Sequence, residues 1–130
     1  MLKVYCRGSC GSSKRAKAWF VEHGIEFESY LISQLPREEL LRILPLTEAG
    51  MASIVKSVAK ANSETKAGLL KLARMQFNDG VNFLNVHPQL LQTPIIIKGN
   101  QLMIGFNSEE IRQFIPKAYR KIQKENKGLL

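Results

Sequence analysis

Long apolar runs are missing from this chain of 130 residues. The longest, Leu90 to Ile97, is interrupted by Gln92, Thr93 and Pro94 and falls far short of the roughly 20 residues that cross a bilayer. No membrane association is expected. Cysteine is almost absent: Cys6 and Cys10 sit so close in sequence that a bond between them would remove little entropy from the unfolded chain, so a disulfide-stapled framework is excluded. His23 and His87 stand apart without metal-ligand spacing, and no metal or other cofactor is expected. The start, Met1-Leu2-Lys3-Val4-Tyr5-Cys6, turns polar at once and lacks the apolar stretch and cleavage site of a secretory signal. The cytoplasm is the expected compartment.

Acidic residues are few beside basic ones: 11 Asp and Glu against 19 Lys and Arg, a formal net charge of +8. Such an excess suits contact with nucleic acid, an acidic protein surface or an oxyanion, and it also serves solubility. Its distribution is uneven. After residue 116 the basic residues are Lys117, Arg120, Lys121, Lys124 and Lys127 and the one acid is Glu125, so half of the net charge falls in the tail 117–130. A chain of this length with 45% hydrophobic residues can bury roughly two-thirds of its unfolded surface, enough for one core. With no repeat, low-complexity segment or linker, a single domain spanning 1–130 is expected.

Leu2-Lys3-Val4-Tyr5 alternates and runs into Gly8, Ser9 and Gly11, which reads as a strand entering a loop. A helix capped by Ser12 or Ser13 follows, with Ala16, Trp19, Phe20 and His23 at helical spacing until Gly24 ends it. Ile25 to Ile32 reads as a second strand, completing a right-handed parallel unit. A helical insertion at about 36–87 begins with Pro36 in its first turn and is expected to break at Pro45, Gly50, Gly68 and Gly80. Within it, Leu69, Leu70, Leu72, Ala73 and Phe77 read as one core-facing stripe. Ile95-Ile96-Ile97 and Leu102-Met103-Ile104, joined through Gly99-Asn100, read as a hairpin. Ser108-Glu109-Glu110-Ile111 opens a last helix with Ser108 as its cap. This order resembles the thioredoxin fold, an α/β architecture with a mixed central sheet flanked by helices. Within that resemblance Pro94 takes the place of the cis-proline facing the active loop, so a cis Thr93–Pro94 bond is expected.

Gly8-Ser9-Cys10-Gly11-Ser12-Ser13 puts a thiol at a helix start, where free N–H groups and the helix dipole favour the thiolate or an oxyanion. Cys10 is thus a candidate nucleophile or redox sensor; the alternative is a cysteine that merely fits a turn. A reversible switch needs a resolving thiol, and position 13 is serine, whose hydroxyl can hydrogen-bond a thiolate but cannot close a disulfide. Cys6 could substitute if the two Cα atoms came within about 7 Å.

Four stretches carry a more specific resemblance: Lys17 to His23, Ile43 to Gly50, His87 to Ile97 and, above all, Gly105-Phe106-Asn107-Ser108-Glu109-Glu110-Ile111-Arg112-Gln113-Phe114-Ile115-Pro116. Together they resemble the Spx regulators of low-GC Gram-positive bacteria, within the arsenate reductase (ArsC) superfamily. The resemblance implies a non-catalytic protein that binds the C-terminal domain of the RNA polymerase α subunit during thiol or oxidative stress. It also implies degradation by the ClpXP protease with an adaptor, for which Leu129-Leu130 is a candidate handle. Gly50 matches the glycine at the polymerase contact, where a missing Cβ permits close approach. Three departures stand out: Ser13 replaces the second thiol, Val58 stands where an arginine serves the oxidised pair, and Thr93 stands where an arginine precedes the cis-proline. They imply a paralogue lacking the usual redox switch.

The alternative is an arsenate reductase-like thiol oxidoreductase, because Cys10-Gly11-Ser12-Ser13 is close to that family's Cys-Gly-Thr-Ser loop. Its chemistry would need arginines to stabilise charge on the oxyanion. Thr93 leaves the best-placed position without one, and Lys56, Lys60 and Lys66 offer point charges rather than a planar clamp. A weak DNA contact within the polymerase complex, carried by the tail and by Lys14, Arg15 and Lys17, is compatible with the regulator reading.

Overall fold

A computed structural model describes residues 1–116; the basic tail, with its five cations and Leu129-Leu130, lies outside the described residues. The elements are β1 (Lys3–Cys6), α1 (Gly11–Glu22), β2 (Glu28–Leu31), α2 (Arg37–Ile43), α3 (Met51–Ile54), α4 (Ser63–Leu72), α5 (Phe77–Val86), β3 (Ile95–Lys98) and β4 (Gln101–Ile104), followed by a 3-10 turn at Glu110–Phe114. The sheet order is β2-β1-β3-β4. β1 pairs parallel with β2, Lys3 opposite Glu28, and antiparallel with β3, Lys3 opposite Ile97. The β3–β4 hairpin turns through Gly99, whose φ of 59° a glycine adopts without a Cβ penalty. The sheet is therefore mixed, with α2 to α5 inserted between β2 and β3.

Alternation along the strands divides the core in two. Val4, Cys6, Ile96 and Met103 face α1 and the last turn, packing with Ala16, Phe20, Ile111 and Phe114. Tyr5, Ile95 and Ile97 face the insertion, packing with Leu40, Ile43, Ile54, Leu69, Leu72, Val81, Leu84 and Leu91. Phe20 is fully buried and its ring meets those of Phe27 and Phe114 at 5.7 and 5.8 Å between centroids. Burying a side chain of that kind contributes roughly 1.5–3 kcal/mol.

Several expectations need correction. Cys10, not a serine, takes the cap position of α1, and its side chain makes no capping hydrogen bond. Ser13 is inside the first turn. The second strand is shorter than expected, because Ile32 begins a 3-10 turn, Ile32–Gln34. Pro36 caps α2 rather than lying in its first turn. Gly68 and Gly80 do not break helices: they lie inside α4 and α5, where close neighbours replace a side chain. A Cβ on Gly68 would come 3.1 Å from Leu90 Cδ2, and one on Gly80 would come 3.0 Å from Met51 Cε. The true break falls at 73–76. The expected stripe also splits, since Leu69 and Leu72 are buried whereas Leu70 and Phe77 are 52% and 55% exposed. Within the described residues the last helix is a short 3-10 segment whose cap position falls at Glu109 rather than Ser108, and Asn107 braces the turn leading into it: Oδ1 accepts from the N–H groups of Glu109 and Glu110 at 2.8 and 2.9 Å.

Candidate functional site

The loop from β1 to α1 delivers Cys10 to the helix start. Its N–H donates to Arg7 O at 3.4 Å and its carbonyl accepts from Lys14 N at 3.1 Å. Across the cleft the Thr93–Pro94 peptide is cis, and the Thr93 hydroxyl donates to Cys10 Sγ at 3.3 Å. Burial pushes the Cys10 thiol up. The hydroxyls of Ser13 and Thr93 and the N–H groups of Ser13 and Ser12 together outweigh that and hold it below its ordinary value. Ser13 is 2% exposed and its hydroxyl is close enough to favour the thiolate, yet it makes no hydrogen bond of good geometry in the reduced loop.

Cys6 faces elsewhere. It is buried, with Sγ 3.4 Å from Tyr30 O and 3.8 Å from Ser29 Oγ, and both cysteines are free thiols. The structure therefore holds no Cys6–Cys10 disulfide.

Two cations stand nearby. Arg7 Nη2 donates to the carbonyls of Pro88, Gln89 and Leu91 at 3.2, 2.9 and 3.0 Å, pinning the turn that leads into Thr93–Pro94. Lys56 is half-buried; burial lowers its ammonium pKa first and repulsion from Arg7 second, while Cys10 acts the other way. Lys56 therefore lies within electrostatic reach of both. It shares a cleft of about 360 Å³ with Ser57, Lys60, Ala61 and Gln92. Val58 is 41% exposed, in a 3-10 turn with Lys60. Sequence reasoning missed Arg7, because its three carbonyl partners lie more than 80 residues away and no local pattern announces them. An arginine three places before the thiol was the available signal.

Gly50 caps α3 with φ 63° and ψ −129°, a region that side-chain-bearing residues avoid. A Cβ there would meet nothing within 4 Å, so the space in front of Gly50 is open. Its turn is braced by the Thr47 hydroxyl, which donates to Leu44 O at 2.7 Å, and by Ser53 Oγ, which accepts from Ala49 N at 3.0 Å. Gln92 then ties α3 to the Cys10 side: its N–H donates to Ile54 O and its Nε2 to Val55 O, both at 2.8 Å. The next residue is Thr93. The structure thus brings Cys10, Ser13, Thr93 and Pro94 together and sets Gly50 at a separate turn joined to them through Gln92.

Among the described residues no helix is long and apolar enough to cross a membrane, and no group of three or more His, Cys, Asp or Glu could hold a metal ion.

Residues 5–114 match the ArsC family. The global transcriptional regulator Spx of Streptococcus mutans is 34% identical over 123 residues, covering 93% of this chain and 88% of that protein. Its Streptococcus pneumoniae counterpart is 35% identical, covering 93% and 90%. Among solved structures, a Staphylococcus aureus protein determined by NMR superimposes with a TM-score of 0.73 at 19% identity, covering 87% of this chain and 97% of that one. An ArsC family related protein of Bacteroides fragilis gives 0.71 at 23% identity, covering 86% and 97%.

Proposed function

This chain belongs to the ArsC family, and from that membership we propose that it is a Spx-like transcriptional regulator, acting in the cytoplasm without catalysis. It binds the C-terminal domain of the RNA polymerase α subunit through the surface at Gly50 and serves a thiol or oxidative stress response. The carrying observation is identity of 34–35% to Spx regulators across 93% of the chain. The open space in front of Gly50 supports close approach by a partner backbone. The usual two-thiol switch is lacking, since Ser13 cannot close a disulfide and Cys6 faces β2. Turnover by ClpXP with an adaptor and a weak DNA contact within the polymerase complex complete the reading.

One observation favours a second reading, an arsenate reductase-like oxidoreductase: the Cys10 thiol is held below its ordinary value. Against it, Thr93 supplies no guanidinium, and the Nη2 of Arg7 is taken up by three carbonyls, which turns that end of its fork away from an oxyanion.

Calorimetric titration with the isolated C-terminal domain of the α subunit separates the two. Binding in both redox states, abolished by Gly50→Arg, is the expected result. No binding in either state, with arsenate turnover that vanishes in Cys10→Ala, would establish the oxidoreductase.

A further inference from the structure

We propose that the cleft between α4 and the corner after α5 binds a free small-molecule carboxylate with an aromatic body, held by Lys56 at its charged end and by Phe83 and His87 along its ring. The proposal is independent of polymerase binding and of Cys10. A cavity of suitable size, an aromatic wall, a cation without a carboxylate and donors beside it converge on it.

The cleft encloses about 420 Å³, within the range of small-molecule sites. It is distinct from the smaller cleft that Lys56 shares with Lys60 and Gln92. Its floor is apolar: Leu90 is 2% exposed, and Gly68 presents bare backbone of α4 beside it. One wall is aromatic. Phe83 on α5 and His87 just after it are half-buried, with ring centroids 4.4 Å apart and planes tilted by 44°. Such rings gain from a further ring set offset or edge-on against them, so the wall favours a planar body over an aliphatic chain.

The frame is set before a ligand arrives. Asn62 Oδ1 accepts from Thr65 N at 2.8 Å at the start of α4. Lys56 N donates to Leu90 O at 2.9 Å, and Val55 bridges to Leu91. A preformed site loses little affinity to ordering.

Lys56 sets the charge of the ligand. It is half-buried in the lining, and the described residues give it no carboxylate, since their one ion pair joins Arg42 to Glu39. Arg7 repels its charge, and only the Cys10 thiol acts the other way. An ammonium partly withdrawn from water and lacking a counter-ion gains from an entering anion. Glu64 is the one acid among the described lining residues. It is exposed, so water screens it more than Lys56.

Donors stand with the cation. Gln89 Nε2 lies 3.3 Å from His87 Nδ1; the amide donates, so the neutral ring carries its proton on Nε2. Asn62, its oxygen taken up by Thr65 N, keeps its amide nitrogen as a donor. These are groups from which a carboxylate accepts.

The test is a two-dimensional amide NMR titration of the full chain with phenylacetate, its neutral isostere phenylacetamide, and acetate. Phenylacetate should give saturable shifts at Thr65, Gly68, His87 and Gln89, with a dissociation constant of about 1 mM or tighter. Phenylacetamide keeps the ring without the charge and acetate keeps the charge without the ring, so each should bind about ten-fold more weakly or worse. Lys56→Met keeps the apolar stem and removes the ammonium. It should reduce phenylacetate to the affinity of phenylacetamide, while unchanged resonances outside the cleft show that the fold is kept. Shifts confined to the Cys10 loop, equal affinity for phenylacetate and either control, undiminished phenylacetate binding in Lys56→Met, or no saturable shift up to about 10 mM would each overturn the proposal.

Discussion

At the scale of single residues, the chemistry of this protein turns on which atoms face Cys10 Sγ. Burial raises the thiol, whereas donors from Ser13, Thr93 and the helix start lower it further, and the sum lies below the ordinary value. Alkylation by iodoacetamide should therefore reach half its maximal rate at a pH below the roughly 8.5 of a free thiol. Thr93→Val should move that midpoint upward by removing the hydroxyl at 3.3 Å. The sign for stability follows from linkage. The folded chain holds fewer protons on this sulfur than the unfolded one, so the contribution is present above the unfolded thiol's pKa and is lost as pH falls through the folded value. Gly50 obeys a different constraint: its φ of 63° with ψ of −129° strains any side chain, although nothing in the chain would touch the Cβ. Gly50→Ala should lower unfolding free energy by about 1–2 kcal/mol in urea titrations while retaining partner binding that Gly50→Arg abolishes. That pair separates strain from steric exclusion.

At the scale of elements, Gln92 joins two regions that the chain order keeps apart. One amide group and one backbone N–H hold the end of α3, while the adjacent residue touches the thiol. Gln92→Ala should cost about 1 kcal/mol and weaken binding at Gly50 more than Cys10→Ala does, as titration calorimetry would read. The helix glycines differ in what surrounds them. Leu90, the neighbour of Gly68, is 2% exposed and fixed, whereas the neighbour of Gly80 that comes closest is the flexible end of half-buried Met51. Alanine at either position improves helix propensity by up to about 1 kcal/mol, but overpacking offsets it where the neighbour cannot move. Gly68→Ala should therefore be the more destabilising of the two by about 1 kcal/mol, measured by thermal or urea unfolding. Its direction would be reversed if Leu90 had room to shift.

Across the whole molecule, the two apolar clusters on opposite faces of the sheet carry stability, and the excess of basic residues bears on which surfaces the chain attracts. Phe20→Ala should cost roughly 3–5 kcal/mol by opening the α1 face, without changing the loop donors around Cys10. With a net charge of +8, binding to an acidic partner or to DNA should weaken as salt rises, because exposed charges are screened over about 10 Å at 0.1 M. Much of this was legible from residue order. Alternation in Leu2–Tyr5, the β-branched run Ile95–Ile97, helical spacing from Ala16 to Phe20 and the Gly99 turn are local signals, and each specifies its element through near neighbours. The absence of a second loop thiol is likewise a matter of composition: Ser13 cannot form a disulfide in any fold. Tertiary structure decided the rest, because it depended on contacts between distant residues. It buried Leu69 and Leu72 but left Leu70 and Phe77 outside, since a helix stripe does not state how wide a face its partners cover. It kept Gly68 and Gly80 within helices where Leu90 and Met51 pack closely, turned Cys6 toward Tyr30 and away from Cys10, and seated Arg7 on the carbonyls of Pro88, Gln89 and Leu91. Local sequence reports the conformations a segment can adopt; which surfaces those segments present to one another is decided when the sheet closes and packing selects among them.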